Sequence, residues 1–418
     1  MKLLLFAGAG TSVELGVPAM KGLATEFLTH SEQWDVEPTL VRQMMGDILD
    51  IEHLIESLDQ ICAARNSLPI LGELSISLDR VDTIRSEVEW FVQHAAERIA
   101  PGDAQLMWGS ILRTAKNHEL TFVTTNYDRA IELAANAEGV SLTDGFESFG
   151  EKEVAPWVGF YPVKGSPSIV KLHGSTDWYT ENSSGNPLKL RHPMPLFGRG
   201  TLRLFSGQEL GSCIVLPSRE KLLTRAPYPR QSQAFLNAVD DCDIAVFVGS
   251  SLRDPHVREA ASTIMTNRPV FIINPEGDRL GLDNAHPIAQ PASQFLISTL
   301  PAALSSSELP KALMHISEGP VKSNPGILGL LRLALDPQEH TSRRCEVIEQ
   351  LDEQSTTLDE HLIHKLLSDD DGTVARYALG LVATCPGQDA LLTSTLASPH
   401  ASDSAFAEEL ALLKQMIG

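Results

Sequence analysis

Continuous apolar runs, rather than alternating ones, mark the strand-like segments of this chain. Unbroken runs are typical of parallel strands buried on both faces, and the intervening segments are long enough for crossover helices. Each run ends in small or polar residues. The pattern predicts an α/β fold, a Rossmann-like doubly wound parallel sheet that binds ligands at the carboxyl ends of its strands. The predicted strands are KLLLFA (2–7), LTFVTTN (120–126), a weaker SIVKLHG (168–174), DIAVFVGSS (243–251) and PVFIINP (269–275).

Between the first two predicted strands, apolar residues recur with helical spacing. Residues 44–61 and 81–99 each place their apolar side chains on one helical face. We therefore predict a large helical insertion at about residues 28–118, packed on the sheet and covering the ligand crevice. On the first of these helices the face consists of Ile48, Ile51, Ile55, Leu58 and Ile61.

The α/β pattern ends near residue 304, which bounds a first domain at residues 1–304. Residues 305–326 contain Ser, Pro and Gly and are predicted to be a linker. The remainder, 327–418, has helical periodicity and is predicted to form an all-helical C-terminal domain. Its expected role is packing or subunit contact.

Composition and charge narrow the classes of partner. The 418 residues are 43% hydrophobic and 21% charged, as in ordinary globular proteins. A net charge of −21 would repel a phosphate backbone, so we expect no direct nucleic-acid binding. The one basic candidate, residues 202–225, is interpreted as a surface loop and helix. No apolar run approaches the roughly 20 residues that span a bilayer, so no membrane partner is expected.

The cysteines favour a cytoplasmic protein without a structural metal. All five are far apart in sequence, and no Cys-x-x-Cys pair occurs, so neither a zinc ribbon nor a disulfide framework is supported. Reduced cytoplasmic thiols are the plain interpretation. The opening apolar run is about five residues long and follows a single Lys2, which is too short for a secretory signal.

The first candidate site is the segment GAGTSVELGVP after the first predicted strand. Gly8 and Gly10 allow a tight turn whose amides approach an anionic ligand, and Ser12 adds a hydroxyl donor. The usual dinucleotide fingerprint needs a third glycine where this chain has Val13. By itself the turn is weak evidence for a nucleotide site. The absence of the third glycine argues mildly against a standard dehydrogenase.

Further polar residues follow the other predicted strands. Asn126 and Asp128 end the second, where they are either site residues or caps of the next helix. His173 lies at a sheet edge, and histidine titrates near neutral pH as a general base requires. Two later groups predict a second anion cradle and acceptors for ribose hydroxyls. They are Gly249, Ser250 and Ser251, and Asn274 and Glu276.

In this order the five motifs resemble those of the sirtuin superfamily: GAG-x-S, T-x-N-x-D, HG, GTS-L and an apolar strand ending in Asn. The resemblance covers residues 1–304 without the insertion, and HGSTDW and GSSLRDP look closest to the bacterial sirtuin-like branch. It implies NAD as the substrate, with Asn126 and His173 catalytic. Lys21 stands where the family has Arg, which keeps the charge without the planar fork. The implied NAD-binding residues are Gly8, Ala9, Gly10, Ser12, Lys21, Asp128, Gly249, Ser250, Ser251, Asn274 and Glu276.

One departure from the family changes the expected reaction. Sirtuin deacylases carry a zinc module with two Cys-x-x-Cys pairs between HG and GTS, whereas residues 175–248 contain only Cys213 and Cys242. No metal is therefore expected. The resemblance implies hydrolysis of NAD to ADP-ribose and nicotinamide, with cyclisation as a variant. Two alternatives stay open: a non-catalytic module that binds NAD or ADP-ribose, and an NAD-dependent protein deacylase.

The same branch implies a setting and partners. Bacterial proteins of this kind are similar to antiphage-defence effectors that deplete NAD and stay inactive until triggered. Relatives with a helical tail associate with a HerA-type ATPase ring or form homo-oligomers. We therefore expect a regulated cytoplasmic effector, with the helical insertion or the C-terminal helices as the regulatory element.

Overall fold

A computed structural model describes residues 1–47, 49–67, 78–193, 201–204, 207–215, 227–319, 326–354, 356–385, 388–395 and 400–417. The strands form two sheets. They are β1 (Lys2–Ala7), β2 (Glu119–Thr124), β3 (Val154–Pro156), β4 (Ser168–Lys171), β5 (Gly174–Glu181), β6 (Pro187–Leu190), β7 (Thr201–Arg203), β8 (Glu209–Ile214), β9 (Ile244–Val248), β10 (Val270–Asn274) and β11 (His286–Ala289).

Helices surround these sheets. Those before β9 are α1 (Ala9–Val13), α2 (Met20–Gln33), α3 (Pro38–Met45), α4 (Ile51–Ser67), α5 (Leu78–Ala96), α6 (Pro101–Thr114), α7 (Ala130–Ala137) and α8 (Tyr228–Asp241). Those after β9 are α9 (Pro255–Met265), α10 (Ala292–Gln294), α11 (Leu300–Leu304), α12 (Leu309–Glu318), α13 (Ile327–Leu335), α14 (Thr341–Glu353), α15 (Glu360–Leu367), α16 (Gly372–Tyr377), α17 (Leu379–Val382), α18 (Gln388–Thr395) and α19 (Ser404–Ile417). No helix in these described ranges is long and apolar enough to cross a membrane.

The central sheet has six parallel strands in the order β11-β10-β9-β1-β2-β4. Numbered along the chain, this is the 3-2-1-4-5-6 order of the doubly wound Rossmann fold, with the topological switch between β1 and β9. The predicted fold class is confirmed. The short β11 had no counterpart among the predicted strands. Residues 125–126 and 249–251, predicted as strand ends, lie in loops beyond β2 and β9.

Four of the helices that lie between β1 and β2 along the chain share a separate hydrophobic core. Helices α2 to α5 share a buried apolar cluster that includes Phe27, Met45, Leu54 and Phe91. Ile48, which we placed on this apolar face, lies outside the described residues. Helix α6, also within the predicted 28–118 insertion, packs on the sheet instead. Its Trp108 meets Phe122 of β2 edge-on, with ring centroids 5.9 Å apart.

The second sheet is antiparallel, with the order β3-β6-β5-β8-β7, and the sequence did not predict it. Its core consists of Tyr179, Leu188, Leu190 and Leu210. Residues 202–203 belong to β7 and residues 209–214 form β8, so the prediction of a loop and helix over 202–225 is wrong for both segments. Residues 205–206 and 216–226 lie outside the described residues. Short edge strands such as β7 take their structure from pairing with a neighbour, which local pattern does not show.

The C-terminal helices share one apolar cluster with a face of the central sheet. Leu3 of β1 and Leu331 of α13 belong to the same cluster of buried side chains. Within the predicted linker 305–326, residues 309–318 form α12, whose Leu309 and Leu313 are fully buried. The linker prediction is therefore wrong for these residues. Apolar residues one helical turn apart outweigh the neighbouring Ser, Pro and Gly.

Candidate active site

The candidate site residues gather at the carboxyl edge of the central sheet. In the strand register Ala7 lies beside both Thr124 and Val248, and Thr124 lies beside Lys171. The loops that follow these four positions therefore begin at one edge, around the switch between β1 and β9. This is the edge at which open α/β sheets bind their ligands.

The two glycine loops touch through their backbones. The amide of Gly8 donates to Val248 O at 2.9 Å, and the amide of Gly10 donates to Gly249 O at 2.8 Å. A Cβ on Gly8 would lie 2.5 Å from Gly249 O, and Gly249 itself has a φ of +61°. Only glycine fits such an approach. Both amides thus bond to carbonyls, and Ala9 is the exposed residue of the first loop.

Asn126 ties the loop after β2 to the first glycine loop. Its Nδ2 donates to Gly8 O at 2.9 Å, to Thr11 Oγ1 at 3.2 Å and to Ser12 Oγ at 2.8 Å. Its own amide donates to Thr124 Oγ1 at 2.9 Å, and that hydroxyl donates to Ala7 O. The carboxamide is therefore held in one orientation by three acceptors.

Asp128 extends this network into the next helix. Its Oδ2 accepts a 2.6 Å hydrogen bond from Ser12 Oγ, and its Oδ1 accepts one of 3.0 Å from the amide of Ala130. Asp128 thus orders the turn that leads into α7 and also joins the site cluster. The hydrogen bond to the amide of Ala130 agrees with the helix-start interpretation, and the role of Asp128 in a nucleotide site stays a prediction.

A buried lysine lies directly beneath this turn. Lys171 of β4 is fully buried; its Nζ donates to the carbonyl oxygen of Asp128 and pairs with Glu132 Oε1 at 2.9 Å. Burial raises the pKa of Glu132, although Lys171 opposes that shift. Lys171 is not among the site residues predicted from the sequence. The signal was a cation within an apolar strand, VKLHG, because a buried charge requires a partner.

His173 lies just beyond β4, buried against two titratable side chains. Its Nε2 is 3.4 Å from Asp254 Oδ2, and its ring centroid is 6.5 Å from that of Tyr127. The Tyr127 hydroxyl donates to Val215 O at 2.6 Å, and burial raises the pKa of this phenol well above its usual range. Neither Asp254 nor Tyr127 was selected from the sequence.

The second loop contributes Ser250 and Ser251 beside Gly249. Ser250 is half-buried, and its Oγ accepts a 3.2 Å hydrogen bond from the amide of Leu252. Ser251 is exposed. Gly249 and Ser250 lie against the first glycine loop, since a Cβ on Gly8 would lie 2.5 Å from Gly249 O and from Ser250 Cα. The second anion cradle stays a prediction.

The remaining predicted residues lie apart from this network. Asn274 closes its own loop, donating from Nδ2 to Asp278 O at 2.8 Å and accepting from the amide of Asp278 at 3.0 Å. Glu276 and Lys21 are exposed, Lys21 on the first turn of α2. Within the described ranges, no hydrogen bond or ion pair joins these three side chains to the Asn126 network. Nor do these ranges contain three or more His, Cys, Asp or Glu side chains placed to hold a metal ion.

The α2–α5 helices and the antiparallel sheet border the site. Arg129, next to Asp128, pairs with Glu97 just after α5 at 2.8 Å, and Glu97 also accepts from the Thr176 hydroxyl of β5. Gln93 of α5 donates to Ser212 Oγ of β8 at 3.0 Å. Three structural units therefore meet beside the loop that carries Asn126.

The strand order is that of the doubly wound Rossmann class of folds, in which ligands bind at the switch point between the strands. Residues 120–287, less than half of the chain, match the family model of the SIR2-like domain. The match begins in β2, includes Asn126, His173 and Gly249, and supports the sirtuin superfamily. The Gly8–Ser12 turn lies outside it and is joined to it by the Asn126 hydrogen bonds.

Solved structures with a similar chain path include Sir2 homologues. One is a Sir2 homologue in complex with NAD, 15% identical, covering 75% of this chain and 89% of that chain with a TM-score of 0.41. Another is a mutant Sir2 homologue in complex with 2′-O-acetyl ADP-ribose, also 15% identical, covering 75% and 91% of the two chains with a TM-score of 0.41. A search of curated proteins gave no significant match.

Proposed function

We propose that this chain is an NAD+ hydrolase that releases nicotinamide and ADP-ribose. The observation that carries the proposal is the fixed carboxamide of Asn126, bonded to the glycine turn, with His173 at the end of the adjacent strand. A polar side chain held in place and a base at the same sheet edge suit the cleavage of a glycosidic bond.

The site fits a dinucleotide at the two glycine loops. Gly8, Gly10 and Gly249 bring the loops together because side chains there would meet backbone. The first loop exposes Ala9 and the second exposes Ser251, and we expect these residues to contact the diphosphate. The amides of Gly8 and Gly10 support the loops instead, because they bond to carbonyls. Lys21, Asn274 and Glu276 remain candidate NAD contacts at the margin of the site.

The reaction requires one leaving group and one acceptor. The bond between ribose C1′ and the nicotinamide nitrogen breaks, and nicotinamide leaves with the bonding electrons. Water adds its oxygen to C1′, and the released proton passes to His173. Because Asn126 Nδ2 already donates to three protein oxygens, its Oδ1 is the atom presented to nicotinamide or to the attacking water.

Water is the proposed acceptor because residues 175–248 differ from the zinc module that sirtuin deacylases carry in this interval. The corresponding interval contains an antiparallel sheet, and its two cysteines are buried in separate places. Cys213 Sγ lies 3.5 Å from the Tyr228 hydroxyl, and Cys242 Sγ lies 3.5 Å from Val239 O. This arrangement supports hydrolysis over the transfer of an acyl group from lysine.

The proposed role is depletion of NAD in bacterial antiphage defence, in the cytoplasm. Such an enzyme must be inactive until it is triggered, by a partner such as a HerA-type ATPase or by oligomerisation. The pairing of Arg129 with Glu97 supports a regulatory path, since it joins the loop after Asn126 to the helices of the insertion.

The direct test follows nicotinamide release from NAD by the full-length protein, alone and with candidate partners. We expect Asn126→Ala and His173→Ala to lower turnover by at least about 100-fold. Matched controls are Asn237→Ala and His192→Ala, which change exposed residues outside the predicted site, and these should keep wild-type turnover.

Three results would contradict the proposal. Full turnover in either site variant would remove Asn126 or His173 from the mechanism. NAD binding without nicotinamide release under every activating condition would favour the binding module. Release that requires an acyl-lysine peptide, with matched consumption of that peptide, would favour a deacylase.

A further inference from the structure

We infer that Asp254 is the positioning residue of His173: its carboxylate orients the imidazole and stabilises the imidazolium. The inference rests on the proposed function, because it assigns His173 as the base. Asp254 and His173 lie on opposite sides of the topological switch point, since Asp254 follows β9 and His173 follows β4. The two strands are separated in the sheet by β1 and β2.

The carboxylate of Asp254 is fixed by the helix that it begins. Its Oδ1 accepts a hydrogen bond of 3.1 Å from the amide of His256, which caps α9, and Pro255 occupies the first helical turn. The cap leaves Oδ2 facing Nε2 of His173 at 3.4 Å. One carboxylate therefore serves two partners through its two oxygens, and α9 determines the direction in which Oδ2 points.

Burial strengthens the effect of this pair on the ring. The side chains of His173 and Asp254 are only 8% and 17% exposed. A carboxylate at Nε2 favours the tautomer with its proton on Nε2, and it stabilises the cation formed when the ring accepts a proton. The Tyr127 ring also lies near the imidazole, and its phenol stays neutral because burial raises its pKa.

The test measures the titration of His173 by NMR in the full-length protein, with its signal assigned by loss in His173→Gln. Asp254→Asn and Asp254→Ser retain a capping side chain but remove the charge. We expect both to lower the midpoint of His173 titration by about one pH unit or more. Asp371→Asn is the matched control, because Asp371 caps α16 in the same manner.

A second readout uses the rate of nicotinamide release. We expect the acidic limb of the pH–rate profile to move to lower pH in Asp254→Asn, with turnover at least about tenfold lower. The KM for NAD should stay within about twofold of the wild-type value, because Asp254 acts through His173.

The outcomes separate this inference from the proposed function. An unchanged His173 titration in both Asp254 variants, with intact folding, overturns the positioning role whether or not NAD is hydrolysed. A shifted titration in a protein that never releases nicotinamide supports the positioning role and rejects the proposed reaction. An equal shift in Asp371→Asn would also overturn it, since the effect would then be non-local.

Discussion

At the scale of single residues, the site depends on a glycine position that has no room for a side chain. Gly249 has a φ of +61°, and a Cβ there would lie 2.7 Å from the amide nitrogen of Thr11. Its role is to let the loop after β9 reach the turn after β1. The glycine pattern therefore serves loop packing first, and any contact with a nucleotide depends on that packing.

Gly249→Ala should reduce both stability and NAD binding. The matched control is Gly139→Ala, because Gly139 has a similar φ of +64° but nothing within 4 Å of its Cβ position. We expect the control to cost about 1–2 kcal/mol from the backbone conformation alone. Gly249→Ala should cost about 1–3 kcal/mol more, because the loops must separate.

Urea unfolding and calorimetric titration with NAD measure the two effects. Equal unfolding free energies for the two variants, or unchanged NAD affinity in Gly249→Ala, would show that close loop packing is not required.

The residues that could be predicted from sequence are those at strand ends. Asn126 and His173 follow apolar runs, and parallel strands end at a common edge, so the position of both residues at that edge follows from the pattern. Asp254 and Lys171 could not be assigned in that way. Their roles depend on how a helix start and a buried strand position face other loops, which is a matter of tertiary packing.

At the scale of elements, buried charges join the two sheets. Lys189 of β6 pairs with Asp144 Oδ2 at 2.7 Å and lies 3.5 Å from Asp177 Oδ2 of β5. Burial opposes the ionisation of Asp177, but Lys189 and then Lys171 outweigh it and hold the pKa of Asp177 below its usual range. The carboxylate therefore stabilises the folded protein when it is charged.

Asp177→Asn should destabilise the protein in a pH-dependent way. The pKa of Asp177 is lower in the folded state than the ordinary value near 3.9. Its contribution is therefore fully present above about pH 4 and is lost as the pH falls through the lower, folded value. We expect a loss of about 1–3 kcal/mol at pH 7 that shrinks towards zero in acid.

Urea unfolding at pH 7 and below pH 4 measures this dependence, with the exposed Asp240→Asn as a control. A difference from wild type that stays constant across this pH range would contradict the assigned charge interaction.

The strands of the antiparallel sheet could not be predicted because their pairing is not visible in the local sequence pattern. The strands β5 and β6 are joined by the segment ENSSGN, whose composition is typical of a turn. The partner strands β3 and β8 lie outside this hairpin, and their pairing with it is not visible in the local pattern. Helix α12 escaped for another reason, since Ser, Pro and Gly around it suggested a linker although Leu309 and Leu313 are buried.

At the scale of the whole molecule, the C-terminal helices pack on the Rossmann unit through charge as well as apolar contact. Arg113 of α6 pairs with Glu138 after α7 and with Asp359 at the start of α15. Asp359 also caps α15 by accepting from the amide of Leu362 at 2.9 Å. All three charged side chains are mostly buried, so the contact is sensitive to loss of one partner.

We expect the sheet and the C-terminal helices to unfold in a single calorimetric transition. Asp359→Asn keeps a capping side chain and removes the charge facing Arg113, so the midpoint of that transition should fall. The expected cost is about 1–3 kcal/mol. Asp371→Asn is the capping control. Two separate transitions in the wild-type protein, with only one shifted by Asp359→Asn, would contradict a shared core.

The identity of the acceptor is the central claim, and oxygen isotope incorporation tests it most directly. The protein is incubated with NAD in water enriched in oxygen-18, under conditions in which nicotinamide is released. The mass of the product is then measured by mass spectrometry. Hydrolysis predicts ADP-ribose that carries one oxygen-18 atom for each nicotinamide released. A cyclic product without the label would contradict attack by water at C1′.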